Sequence, residues 1–142
     1  EAGDLAPVAA MIVQDFRRSH GPGRVGLDLP QDPVLTSLDP DGFGILLRNL
    51  LENALRHGTD GAPVTVTLEP GRVLRVANDC DPIPPATLAR LSQRFARGGG
   101  AGDGAGLGLS IVHVIAERSG STLTLASPRP GSDRGLEVSF RF

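Results

Sequence analysis

The ten residues from Arg48 to His57, Arg-Asn-Leu-Leu-Glu-Asn-Ala-Leu-Arg-His, constrain the fold more than any other stretch. On a helix at about 100° per residue, Leu47, Leu50, Leu51 and Ala54 share one arc, and Asn49, Glu52, Asn53 and Arg56 share the opposite one. A single apolar stripe has to be buried against a second layer. The helix also carries its own boundaries. Asp39 is suited to the N-cap, Pro40 to the first helical position, Asp41 to the positive end of the dipole, and Gly58 to the stop. A hairpin follows at once, Val64 to Leu68 and Val73 to Ala77. The joining Glu69-Pro70-Gly71-Arg72 predicts a type II turn, with Gly71 at its left-handed position.

The remaining elements fit the same two-layer scheme. Asp4 is a candidate cap for a first helix ending at Gly21, with Leu5, Ala9, Ile12, Val13 and Phe16 on its apolar stripe. Val25, Leu27 and Leu29 alternate as a strand, and Val34 to Leu38 reads as another. From Asn78 to Gly106 the pattern breaks into prolines and glycines, with a short helical candidate at 85–94. A stretch of this length inside a domain usually serves function, often as a lid. Leu107 to Ser119 reads as a helix apolar nearly all round, hence largely buried, and Gly120 ends it. Strands over 123–126 and 136–142 close the chain. Strict strand-helix-strand alternation is missing, so the order predicts an α+β two-layer sandwich, its mixed, mostly antiparallel sheet covered on one face by about three helices.

Composition removes several function classes. The 142 residues predict one domain spanning 1–142. A net charge of −2 gives no general attraction for nucleic acid or anionic lipid, so neither is an expected partner. All 14 basic residues are Arg, which excludes every motif that needs lysine, the Walker A loop among them. Cys80 is the single cysteine and cannot form an internal disulfide, which fits a reducing compartment. No apolar run approaches the roughly 18 residues of a membrane span.

Three polar stretches carry the chemistry. Two Asn one turn apart are poor helix formers, so Asn49 and Asn53 imply a role beyond solvation. Beside a carboxylate and a guanidinium, their amide oxygens suit a metal-bound polyphosphate. In the second stretch, Val76-Ala77-Asn78-Asp79-Cys80-Asp81-Pro82-Ile83-Pro84, a strand runs out into polar residues and prolines. In the third, Gly104-Ala105-Gly106-Leu107-Gly108-Leu109, glycines open a helix, where bare backbone N–H groups favour an anion.

Taken in order, these stretches resemble the catalytic ATP-binding domain of bacterial two-component sensor histidine kinases, in the superfamily that also holds gyrase. Residues 48–57 resemble that family's N box, Gly104 to Leu109 its G2 box, and Arg94-Phe95-Ala96-Arg97-Gly98 the F box of its lid. The resemblance implies a Bergerat-type fold with a lid over about 79–106, ATP and Mg²⁺ as ligands, and γ-phosphoryl transfer to a histidine. It implies that Asn53 ligates Mg²⁺, that Asn49 and Arg56 act at the phosphates, and that His57 packs on the nucleotide. Asn78 then meets the base, with Ile83, Leu107 and Leu109 among the nucleotide-binding residues. Gly104, Gly106 and Gly108 offer backbone N–H groups to the phosphates. Arg97 is the candidate to reach the γ-phosphate, and Phe95 to anchor the lid or to contact the partner domain.

Two departures stand out. Where the family usually has Asp-x-Gly-x-Gly, this chain has Asn78, Cys80 and Pro82. None of His20, His57 and His113 sits in a phosphoacceptor motif, so the accepting histidine is expected on a helical hairpin of the same or a partner protomer, with a response regulator downstream. The implied location is the cytoplasmic part of an inner-membrane sensor. A serine kinase of the anti-sigma-factor type and a non-catalytic module of the same fold remain alternatives.

Overall fold

The computed structural model describes residues 3–92 and 107–142. Among these, β2 (Val25–Asp28), β4 (Val64–Glu69), β5 (Val73–Asn78), β7 (Leu136–Arg141) and β6 (Thr122–Ala126) form one sheet, in the order β2-β4-β5-β7-β6. β2 and β4 are parallel, and the other neighbours are antiparallel. The parallel pair is joined through α2 (Pro40–His57), the kind of crossover a parallel pair requires. The expected mixed, mostly antiparallel sheet is the one observed.

Register sorts the sheet into two faces. Leu68, Leu74, Phe140 and Leu123 form one transverse row, and Val66, Val76, Val138 and Leu125 the next. The central members of both rows are buried, and each such side chain contributes about 1.5–3 kcal/mol. The opposite face is polar: Arg75 reaches Glu69 at 3.0 Å, Ser139 at 2.8 Å and Glu137 at 3.4 Å. The helices therefore cover the apolar face. α2 packs against both α1 (Ala6–His20) and α4 (Leu107–Ser119), while α3 (Pro85–Ser92) lies by β6.

The central helix follows its local signals. The Asp39 carboxylate accepts from the N–H groups of Asp41 and Gly42, and Phe43, Leu46, Leu47, Leu50, Leu51 and Ala54 are buried. Four expectations need correction. Leu5, not Asp4, holds the N-cap of α1. Asp4 instead accepts from Ala6 N–H at 3.1 Å and Val34 N–H at 3.0 Å, splicing the helix start to a distant segment. The strand expected over 34–38 shrinks to β3 (Leu35–Thr36), paired with β1 (Gly3–Asp4) outside the main sheet. It stops there because Thr36 Oγ1 draws the Leu38 N–H into a local turn. In the hairpin the left-handed residue is Arg72 (φ 63), not Gly71, as in a three-residue loop whose type I turn is followed by a left-handed position. Finally, α4 is only half buried: Val112 and Ala116 are enclosed, but Ile111 is 46% exposed.

Candidate functional site

The alternation that builds the apolar face continues one step past Val76, to Asn78, which pairs with Leu136 in register. A polar side chain thus ends an otherwise apolar file. Asn78 is only 2% exposed, and among the described residues its Nδ2 has no hydrogen-bond partner. An unpaired buried amide N–H costs about 1–3 kcal/mol. Such groups are rare in native structures, and each calls for a reason.

Asn78 lines a cavity of about 430 Å³ with Asn53 and His57 of α2, and with Cys80, Ile83 and Leu91 from the segment after β5. Close approach of α2 to β5 depends on Gly58. A Cβ there would lie 2.7 Å from Ala54 O and 3.2 Å from Asn78 Nδ2. Cys80 forms part of the wall, and burial pushes its thiol pKa up.

The cavity's rim is braced by long-range contacts. Arg134 Nε donates to Asp79 at 2.6 Å, and the same guanidinium reaches Asp81 and Thr59 at 3.3 Å. Hydrogen bonds from Arg134 and then Thr59 hold the Asp79 carboxyl below its ordinary range. Gly135 N–H donates to Cys80 O at 2.8 Å. With φ 96, Gly135 has no room for a Cβ, which would lie 2.7 Å from Asn78 O. Ser127 Oγ accepts from Ile83 N–H at 2.9 Å and donates to Gly135 O at 2.6 Å, fixing the proline-rich exit of β5. From α4, His113 Nε2 donates to Leu91 O at 3.1 Å, tying that helix to the cavity wall.

The sequence-derived residues divide into three groups. Asn53, His57, Asn78 and Ile83 come together in the cavity. Asn49 and Arg56 do not line it. Asn49 Nδ2 turns back to Ile45 O at 2.7 Å, and Arg56 lies in a separate depression of about 620 Å³ with Glu52, Arg48 and Asp15. The polar arc of α2 is wide enough to face two neighbours, and it does. Phe95, Arg97, Gly104 and Gly106 lie outside the described residues, while Leu107, Gly108 and Leu109 open α4. Sequence reasoning missed Asp79, Ser127 and Arg134. Only Gly135, in a glycine-containing segment before the last strand, left a faint signal.

Among the described residues no cluster of three or more His, Cys, Asp or Glu could hold a metal alone. A metal here would have to share its shell with oxygens of the ligand, as Mg²⁺ on a polyphosphate does. The Asn53 amide oxygen is a hard donor suited to that arrangement.

Residues 38–142 match the family model described as histidine kinase-, DNA gyrase B-, and HSP90-like ATPase. The chain belongs to that family. Its relatives include the sensor protein QseC of Salmonella typhi, 36% identical over 119 residues, a match covering 83% of this chain and 26% of QseC. The probable sensor histidine kinase TcrY of Mycobacterium tuberculosis is 32% identical over 131 residues, covering 87% of this chain and 28% of TcrY. The chain thus spans about a quarter of the length of these relatives. The solved structure of the mycobacterial sensor histidine kinase MprB superposes with a TM-score of 0.77 at 26% identity, over 99% of this chain and 94% of that one. The histidine kinase-like ATPase fold expected from the resemblance is therefore the fold observed.

Proposed function

We propose that this chain is the ATP-binding catalytic domain of a sensor histidine kinase, a single unit over 1–142 that presents Mg-ATP to a histidine carried elsewhere. The observation that carries the reading is the buried Asn78 side chain, its Nδ2 without a partner among the described residues, on the wall of a cavity that also includes Asn53 and His57. A flat heterocycle bound among Cys80, Ile83 and Leu91 satisfies that amide, and His57 packs on it. Asn53 gives its amide oxygen to Mg²⁺, which, when bound, neutralises charge on the β- and γ-phosphates. The glycines at 104, 106 and 108 supply backbone N–H groups, Arg97 reaches the γ-phosphate, and Phe95 anchors a lid over about 79–106. Asn49 serves the phosphates only after leaving Ile45 O, and Arg56 only after swinging out of the other depression.

The chemistry favours an imidazole nucleophile over water. Asn49, an amide, cannot take a proton at neutral pH. Glu52, the carboxylate nearest in sequence to Asn53, lies in the other depression beside Arg48 and Arg56. In-line attack by an imidazole nitrogen forms a P–N bond as the bond to the β-phosphate oxygen breaks. ADP leaves with that electron pair, and the imidazole gives up its proton. The acceptor is a helical hairpin of the same or a partner protomer, with a response regulator next in line. The sensor-kinase relatives favour this reading over a serine kinase or a non-catalytic module. No helix among the described residues is long and apolar enough to cross a membrane, which is compatible with the cytoplasmic portion of an inner-membrane sensor.

Calorimetry with Mg-ATP, followed by labelling with γ-³²P-ATP, tests the proposal. The chain should bind Mg-ATP, stay unlabelled alone, and label a phosphoacceptor hairpin added in trans. Absence of binding at millimolar nucleotide would overturn it.

A further inference from the structure

Resting on the nucleotide reading above, we infer that the base pocket accepts 6-oxopurine nucleoside triphosphates alongside 6-aminopurine ones, because Asn78 reads the base through an amide that can present either polarity. The ribose leaves a purine at N9, so a base entering the cavity tip first brings its N1–C6 edge to the deepest polar group. That group is Asn78, 2% exposed. The neighbouring carboxylates are not available to replace it. Asp79 is held by Arg134 at 2.6 Å, and the Asp81 side chain is 94% exposed. Thr87, which shares the wall with Asn53, His57, Cys80 and Asp81, carries a hydroxyl that donates or accepts equally well.

A carboxylate at position 78 would be acceptor only. An amide is a donor and an acceptor side by side, and a half-turn about χ2 exchanges them across a broad, roughly two-fold torsional profile. Among the described residues no partner restrains Nδ2 from that half-turn. In one orientation the amide offers Oδ1 to adenine N6–H, and in the other it offers Nδ2 to O6 of hypoxanthine. The C6 substituent of either purine thus meets a matching group of the same side chain, so binding alone gives little discrimination. A site whose buried donor must be left unpaired by one ligand discriminates strongly. Here the half-turn removes that mismatch.

The test is a set of dissociation constants for Mg-ATP and Mg-ITP, measured by calorimetry on the 142-residue chain. The two should agree within tenfold in the wild type. Asn78→Asp should move the ratio at least tenfold toward ATP, because O6 of ITP then faces an anionic acceptor. Asn78→Leu should weaken both nucleotides to the same extent, and it keeps the measurement possible if the aspartate variant does not fold. A wild-type preference for ATP beyond tenfold overturns the inference while leaving the nucleotide reading intact. An unchanged ratio in Asn78→Asp, or full affinity for either nucleotide in Asn78→Leu, overturns it as well. If neither nucleotide binds the wild type, the nucleotide reading falls and takes this inference with it.

Discussion

Replacing Asn78 with leucine should make the protein more stable and weaken its nucleotide binding. The side chain is 2% exposed and its Nδ2 is unpartnered, so the folded chain carries the desolvation cost of a polar group with nothing in return. That cost is about 1–3 kcal/mol, and leucine, similar in size, removes it and adds apolar burial beside Val76 and Leu136. The fit is tight on one side, where Asn78 Nδ2 already lies 3.2 Å from the place a Cβ of Gly58 would take. Allowing for imperfect packing, the net gain is about 1–2 kcal/mol. For a chain of this length about 1 kcal/mol corresponds to about 3 °C, so Tm should rise by about 3–6 °C. Thermal and urea unfolding without nucleotide give the stability, and repeating the melts with Mg-ATP gives the ligand-linked shift. The wild type should gain stability with Mg-ATP, and Asn78→Leu should gain less at the same concentration. A leucine variant less stable than wild type without nucleotide would show that the amide is already satisfied, and the reasoning would fail. So would a leucine variant with an undiminished Mg-ATP shift.

Gly135→Ala should cost about 2–4 kcal/mol from left-handed strain plus the clash with Asn78 O, whereas Gly131→Ala, at φ 79 in open space, should cost only about 1–2 kcal/mol. Equal losses in urea unfolding would refute the clash. Asn53→Ala should leave stability nearly unchanged and abolish the Mg²⁺ dependence of nucleotide affinity, read by calorimetry with Mg²⁺ or EDTA; a retained dependence would remove the metal assignment. The folded pKa of Asp79 is lowered from 3.8, so its pairing with Arg134 stabilises the fold above that value and is lost as pH falls through the folded pKa. Asp79→Asn should therefore lower Tm modestly at pH 7, with the gap to wild type closing below about pH 4. A gap that persists at acid pH would show that the guanidinium contact does not depend on the carboxylate charge.

Residues near one another in sequence determined much of the architecture. α2 begins after its Asp39 cap and ends at Gly58, the hairpin strands extend over 64–69 and 73–78, and α4 runs from Leu107 to Ser119 as its periodicity predicts. Caps, alternation and glycine stops act over four or five residues, so they are legible before any tertiary contact forms. Asn53, His57 and Asn78 were legible as candidates for the same reason: polar groups in regular elements break an expected pattern.

Only the tertiary structure decided what those groups face. A polar arc some 100° wide can serve two neighbours, and packing sent Asn53 and His57 into the cavity but Glu52 and Arg56 into the other depression. Asp4 could satisfy either its own helix or Val34, and β3 stayed short once Thr36 turned Leu38 aside. The Arg134–Asp79 brace joins residues 55 apart, and Gly135 matters because Asn78 O comes to lie against it. Local propensity encodes where a strand or helix starts and stops. Which polar group is left without a partner depends on everything that arrives from the rest of the chain, and at Asn78 none of the described residues supplies a partner for Nδ2.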